Sequence, residues 1–218
     1  MAKNIKILIV DDHFIVRQGL KQVLKEHFKH AEFGDASDGR EALQMVWQTQ
    51  WDVVLLDISM PGRGGLDALK DLKQARPEVP IIILSMHSED QFAIRVLKLG
   101  ACAYIRKDSA GQDLVTGVEA ALRGARYITP SLAEKLANHL QEDRQGPVHE
   151  ELSDREYQVM CMIAAGKTVK EVAGGLSLSV KTVSTYRKRV IEKMGLKNNS
   201  QIMRYAVRHG LVDVDSTT

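Results

Sequence analysis

The chain has 218 residues, 44% hydrophobic and 27% charged, an ordinary balance for a soluble globular protein. Its formal charge of +2 hides an asymmetry: residues 1–150 carry 19 Lys and Arg against 21 Asp and Glu, whereas residues 151–218 carry 11 against 7. No apolar stretch approaches the roughly 20 residues of a membrane helix, the first apolar run is too short for a secretory signal, and two distant cysteines exclude a structural zinc site.

Residues 5–123 alternate in a βα rhythm. The apolar runs Ile5–Val10, Val53–Leu56, Ile81–Leu84 and Ala103–Ile105 predict strands buried on both faces, because polar residues do not interrupt them. Ala31–Ser37 is a weaker strand. Helices are predicted at Phe14–Glu26, Arg40–Thr49, Gly65–Ala75, Gln91–Leu99 and Gly111–Arg123, with turns at Asp38-Gly39, Pro61-Gly62 and Gly64-Gly65. The succession predicts a doubly wound α/β fold around a five-stranded parallel sheet.

Residues 124–150 read as a linker with a short helix, Leu132–Leu140, followed by a polar hinge containing Gly146-Pro147. From Leu152 the pattern is wholly helical: Asp154–Ala165, Thr168–Leu176, Val180–Met194 and Ser200–His209. Gly166, Gly195 and Gly210 stand where helices end, and Ser153 with Glu156 forms a capping-box pattern. The expected organisation is 1–123, 124–150 and 151–218, the last a small all-α domain.

The chemistry sits where the strands end. Asp11 and Asp12 follow the first run, Asp57 the third strand, Ser85 the fourth and Lys107 the fifth. In an open parallel sheet these ends share one edge, outside which ligands bind. Clustered acids suit a hard divalent cation such as Mg²⁺, and a lysine beside a hydroxyl suits a phosphoryl group. Each residue alone is a common turn or cap residue; the signal is the set. The loop histidines His13 and His87 read as solvated.

Leu8-Ile9-Val10-Asp11-Asp12-His13, Leu56-Asp57-Ile58-Ser59-Met60-Pro61-Gly62, Ser85 and Tyr104-Ile105-Arg106-Lys107-Asp108 resemble the receiver domain of two-component response regulators, which has a flavodoxin-like fold. The resemblance implies that Asp57 accepts phosphate from a sensor histidine kinase and that Asp12 and Asp57 bind Mg²⁺ directly. It further implies a Ser59 carbonyl ligand, Asp11 acting through water, Ser85 moving onto the phosphoryl group and Tyr104 turning inward behind it. His87 and Ser59 occupy positions that tune phosphoryl lifetime in this family. Asp57-Ile58-Ser59 lacks a second acid two residues on, so slow self-phosphorylation and dephosphorylation are expected rather than enzymatic turnover.

Val180–Met194 is the most basic helix. Lys181, Arg187, Lys188, Arg189, Lys193 and Lys197 face one acid, Glu192, while Val183, Val190 and Met194 form a buried stripe. Such a helix after a short turn fits the major groove of double-stranded DNA. Residues 152–210 resemble the LuxR-type helix-turn-helix of the NarL/FixJ subfamily, through Leu152-Ser153-Asp154-Arg155-Glu156, Ala165-Gly166-Lys167-Thr168, Leu178-Ser179-Val180-Lys181-Thr182-Val183-Ser184-Thr185-Tyr186 and Lys193-Met194-Gly195-Leu196. By position, Ser184, Thr185 and Lys188 would reach bases, and Lys181, Thr182, Arg187 and Arg189 would contact the backbone. Tyr186 and Asn199 depart from the histidine and arginine common there. Gly174-Gly175 predicts a short or bent helix.

The expectation is a cytoplasmic transcriptional regulator, with phosphorylation at Asp57 switching homodimerisation or domain release, and RNA polymerase a candidate further partner. The alternative is a DNA-binding protein whose receiver is a phosphorylation-independent interaction module.

Overall fold

The computed structural model describes residues 4–60, 64–86, 89–141 and 147–212. The predicted turn at Pro61-Gly62, His87 and the hinge residue Gly146 lie outside the described residues. The chain divides into two compact units, Met1–Ala133 and Glu134–Thr218.

In the first unit β1 (Lys6–Val10), β2 (Glu32–Ala36), β3 (Val53–Asp57), β4 (Ile81–Ser85) and β5 (Ala103–Arg106) pair in the order β2-β1-β3-β4-β5, every pair parallel. The strands alternate with α1 (Phe14–His27), α2 (Gly39–Gln48), α3 (Gly65–Ala75), α4 (Glu89–Lys98) and α5 (Ala110–Leu122). Every residue of β3 and β4 is buried, as expected of central strands covered on both faces. Ile7, Ile9, Val53, Leu55, Ile82 and Leu84 pack with Leu20 and Leu24 of α1 and Leu114 and Val118 of α5. The intervening residues Leu8, Val10, Val54, Leu56, Ile81 and Ile83 are equally buried, as the two-residue period of a strand requires for the opposite face.

Local chemistry sets several boundaries. Asp38 caps α2 by accepting from the Arg40 and Glu41 amides. α4 begins at Glu89, two residues before the expected Gln91, and a short 3-10 turn, Lys107–Ser109, precedes α5. Residues 124–129, read as linker, stay with the first unit: Tyr127 forms a parallel bridge to Ala103, its amide bonds Cys102 O at 2.9 Å, and its hydroxyl donates to Asp113 Oδ1 at 2.7 Å. α6 (Pro130–Gln141) follows, with Pro130 in the first turn, where a missing N–H costs nothing.

The second unit is a helical bundle of α7 (Asp154–Ala164), α8 (Val169–Gly175), α9 (Val180–Lys193) and α10 (Asn199–Arg208), preceded by a 3-10 turn at Val148–Glu151. Ser153 with Glu156 and Thr168 with Glu171 form complete capping boxes. Ser179 and Asn198 cap α9 and α10. α8 is seven residues long and ends at the glycine pair. Met160, Val172, Val183, Val190, Ile202 and Ala206 fill the core.

One glycine decides how α3 meets the sheet. A Cβ on Gly65 would lie 2.3 Å from Asp57 O and 2.4 Å from Ile58 Cα, so α3 starts directly against the turn that follows β3. Gly19, inside α1, has nothing within 4 Å of its Cβ position. Gly65→Ala should therefore lower stability by about 1–3 kcal/mol through backbone overpacking. Gly19→Ala should raise it by about 0.5–1 kcal/mol through helix propensity. Urea unfolding of both variants checks the pair.

Candidate functional site

The order reverses at β1, whose neighbours are β2 and β3, and this opens a crevice beyond the C-terminal ends of β1 and β3. Asp11 and Asp12 lie on one side of it and Asp57 on the other. Asp11 and Asp57 are each only 1% exposed, while the Asp12 side chain is 26% exposed. Lys107, at the end of β5, places its Nζ 2.7 Å from Asp11 Oδ2 and 2.8 Å from Asp57 Oδ2. The Ser59 amide donates to Asp57 Oδ1 at 2.9 Å, and the His13 amide donates to Asp11 Oδ1 at 2.8 Å. Asp57 is thus held at both carboxylate oxygens, and Asp11 likewise.

Burial raises the Asp57 pKa above its ordinary value of 3.8, and the Asp11 charge adds to this; Lys107 and the Ser59 amide oppose it without cancelling it. For Lys107 burial works against the charge, but Asp57 and Asp11 together outweigh it and the ammonium is stabilised. The site is short of positive charge.

Ligand atoms of Asp11, Asp12, His13 and Asp57 all lie within 4.8 Å of one another. Asp12 Oδ1 is buried and has no hydrogen-bond partner among the described residues, although His13 Nδ1 stands 3.0 Å away. A buried carboxylate oxygen left without a donor, among further carboxylates, fits a hard divalent cation. His13 is 69% exposed, as a loop histidine should be, yet its ring faces this cluster.

Ser85 and Tyr104 are both fully buried. Burial pushes the Tyr104 phenol far up, and a hydrogen bond to Ser85 partly offsets that. Tyr104, the aromatic expected to turn inward, faces inward here. Ser59 is exposed at the mouth of the site.

A residue missed at the sequence level is Arg17, whose Nη1 donates to the Asp11 main-chain carbonyl at 2.6 Å. Its signal was the basic pair Arg17 and Lys21, four residues apart on one face of α1.

In the second unit, Lys181, Ser184, Thr185, Lys188 and Arg189 are exposed along α9, and Thr182 and Arg187 are half-buried. The hydroxyl of Ser184 donates to Val180 O at 2.8 Å and that of Thr185 to Lys181 O at 3.0 Å. Their protons are engaged by the helix itself, so what they offer outward is acceptor oxygen and, for Thr185, a methyl group. Thr182 Oγ1 lies 2.7 Å from the capping Ser179 Oγ. Arg187 Nε donates to Asn199 Oδ1 at 2.6 Å, so the residue that departs from the expected arginine holds an arginine instead. Lys188 faces Glu192 at 3.7 Å with both side chains largely exposed, a weak pair. Lys193 is committed elsewhere, 2.7 Å from the buried Glu156 that caps α7.

Two sequence profiles match this chain. The one described as "Response regulator receiver domain" covers residues 7–119, and the one described as "Bacterial regulatory proteins, luxR family" covers residues 150–206. The chain is 36% identical over 213 residues to response regulator GacA of Pseudomonas aeruginosa, spanning 97% of this chain and 100% of that one. To response regulator UvrY of Escherichia coli K12 it is 35% identical, spanning 97% and 98%. Among solved structures it resembles RcsB of Salmonella enterica serovar Typhimurium, bound to promoter rprA in the presence of the phosphomimetic BeF3⁻. There the TM-score is 0.64 and the identity 27%, covering 94% of this chain and 99% of that one. No helix among the described residues is long and apolar enough to cross a membrane.

Proposed function

Because the chain belongs to the response regulators that join a receiver domain to a LuxR-type DNA-binding domain, we propose that phosphoryl transfer to Asp57 controls its binding to DNA. The observation that carries this reading is the Asp57 carboxylate, buried to 1% exposure, 2.8 Å from Lys107 and in one cluster with Asp11 and Asp12.

Asp57 is the phosphoacceptor, and the phosphate comes from a sensor histidine kinase. Asp12, Asp57 and the Ser59 carbonyl would hold Mg²⁺, with Asp11 acting through water. When bound there, Mg²⁺ would screen the carboxylate from the incoming phosphate and stabilise charge during transfer. Lys107 pairs with the phosphoryl oxygens as a point charge, and Ser85 donates its hydroxyl to them while Tyr104 fills the space behind. Phosphorylation replaces the single carboxylate charge of Asp57 with a phosphoryl dianion, a net gain of about one negative charge plus three acceptor oxygens, which biases a two-state switch between resting and dimeric, DNA-binding forms. Self-phosphorylation and slow dephosphorylation are the only bond chemistry required. The protein acts in the cytoplasm as a transcriptional regulator, with RNA polymerase a further partner.

On α9, Ser184, Thr185 and Lys188 read bases, and Lys181, Thr182, Arg187 and Arg189 contact phosphates. The back-bonded hydroxyl of Thr185 leaves its methyl to meet a thymine methyl.

A second reading has one observation in its favour. Tyr104 is buried and bonded to Ser85, an inward arrangement that would suit a preset interaction module.

Three experiments separate these readings and test the DNA face. With a small-molecule phosphodonor and Mg²⁺, intact-mass measurement should show one added phosphoryl group on the parent protein and none on Asp57→Asn. Beryllofluoride with Mg²⁺ should raise DNA retention at least several-fold in the parent alone; equal retention with and without it supports the preset module. Replacing Lys181 by Ala should weaken DNA binding across sequences and reduce the salt slope of log K by about 1, as loss of one phosphate contact does. Retention measured over a salt series reads that slope.

A further inference from the structure

The β1–α1 turn, which carries Asp11 and Asp12, is fixed from outside the acidic cluster. The Asp11 amide donates to Ala36 O of β2 at 3.1 Å. The Asp11 carbonyl accepts from Arg17 Nη1 at 2.6 Å. Arg17 is itself confined: its side chain is only 12% exposed, and its Nε faces Asp35 Oδ1 at 3.7 Å. Asp35 is paired at its other oxygen with Lys21, one helical turn beyond Arg17. Arg17 Nε and Asp35 Oδ1 are both buried and have no hydrogen-bond partner among the described residues, which leaves them to each other as an ion pair.

We infer that Arg17, steered by Asp35, is a positioning residue that sets the divalent-cation affinity of the acidic cluster by holding the Asp11 peptide in place. This rests on the reading of Asp11, Asp12 and Asp57 as a cation site. Arg17 does not reach the cluster with its charge; it reaches the main chain behind it. With the peptide held at both N–H and C=O, Asp11 and Asp12 leave the turn in fixed directions and converge with Asp57 within 4.8 Å. Arginine suits the position because one planar fork can serve a carbonyl at Nη1 while Nε addresses a carboxylate. Lysine, a single point donor, can serve one of the two.

The sign of the effect separates positioning from simple electrostatics. Arg17 is a positive charge close to a cation site, so on charge alone its removal would tighten cation binding. Loss of positioning weakens it, and outer partners of metal ligands typically govern affinity by about 10- to 100-fold.

The test is Mn²⁺ binding to the full-length protein by electron paramagnetic resonance, with no phosphodonor present. Arg17→Gln should raise the Mn²⁺ dissociation constant about 10-fold, and Arg17→Lys and Asp35→Asn should raise it about threefold or more, each in the same direction. Cation-free thermal unfolding run alongside shows whether each variant is folded. If Arg17→Gln binds Mn²⁺ as tightly as the parent, or more tightly, the inference is overturned and the cation site stands. If the parent binds no Mn²⁺, the cation reading falls and this inference with it. Should Arg17→Gln fail to fold, Arg17→Lys, which keeps the charge, decides: weaker binding supports the inference, and unchanged binding overturns it.

Discussion

The ammonium of Lys107 between the carboxylates of Asp11 and Asp57 is the interaction on which the first unit is organised. Two buried carboxylates in one crevice repel; at about 4 Å and an effective dielectric near 20 the repulsion is of order 4 kcal/mol. One lysine, 2.7 and 2.8 Å from them, holds the pair together, yet burial still leaves the Asp57 pKa raised. The remaining deficit of positive charge makes the crevice receptive to a divalent cation. The other features of this edge hold that arrangement in register: the parallel order places the strand ends together, Gly65 lets α3 close against the turn after Asp57, and the Ser59 amide fixes the second oxygen of the acceptor.

The second unit follows a different principle. Its affinity for a polyanion comes from dispersed exposed cations rather than from a buried site, while its shape comes from capping. Ser153, Thr168, Ser179 and Asn198 each satisfy an orphan amide at a helix start, which fixes where α9 begins and which side chains it leaves exposed. Lys193 shows the distinction within one helix: although basic, it is tied to Glu156 and serves the fold. Lys181 and Arg189 remain on the exposed face.

Much of this was legible because the sequence repeats one device. An apolar run that ends in Asp, Ser or Lys both forms a buried strand and delivers a polar group to the sheet edge. The Ser153–Glu156 capping box and the terminal glycines marked the helical unit equally well, whereas the Thr168–Glu171 box emerged only in the structure. What escaped depends on side-chain conformation or on partners distant in the chain. The inward state of Tyr104 is a choice of rotamer, which no spacing encodes. The Ser184 and Thr185 bonds to their own helix depend on side-chain torsion. Arg17 gains its role only when β2 brings Asp35 alongside α1. Residues 124–129 looked like linker because their polarity is unremarkable, whereas Tyr127 binds them to β5 and α5 through the bridge to Ala103 and the bond to Asp113.

The central claim, that buried acids around one lysine create a cation-hungry phosphoacceptor, is tested most directly by the ionisation of Asp57 itself. A ¹³C-carboxyl NMR titration, run with and without Mg²⁺ and with the Asp57 resonance assigned by its loss in Asp57→Asn, reads that group. The midpoint should lie above 3.8 without the ion and fall clearly when Mg²⁺ is added. A midpoint at or below that value without the ion, or one unmoved by Mg²⁺, would contradict it.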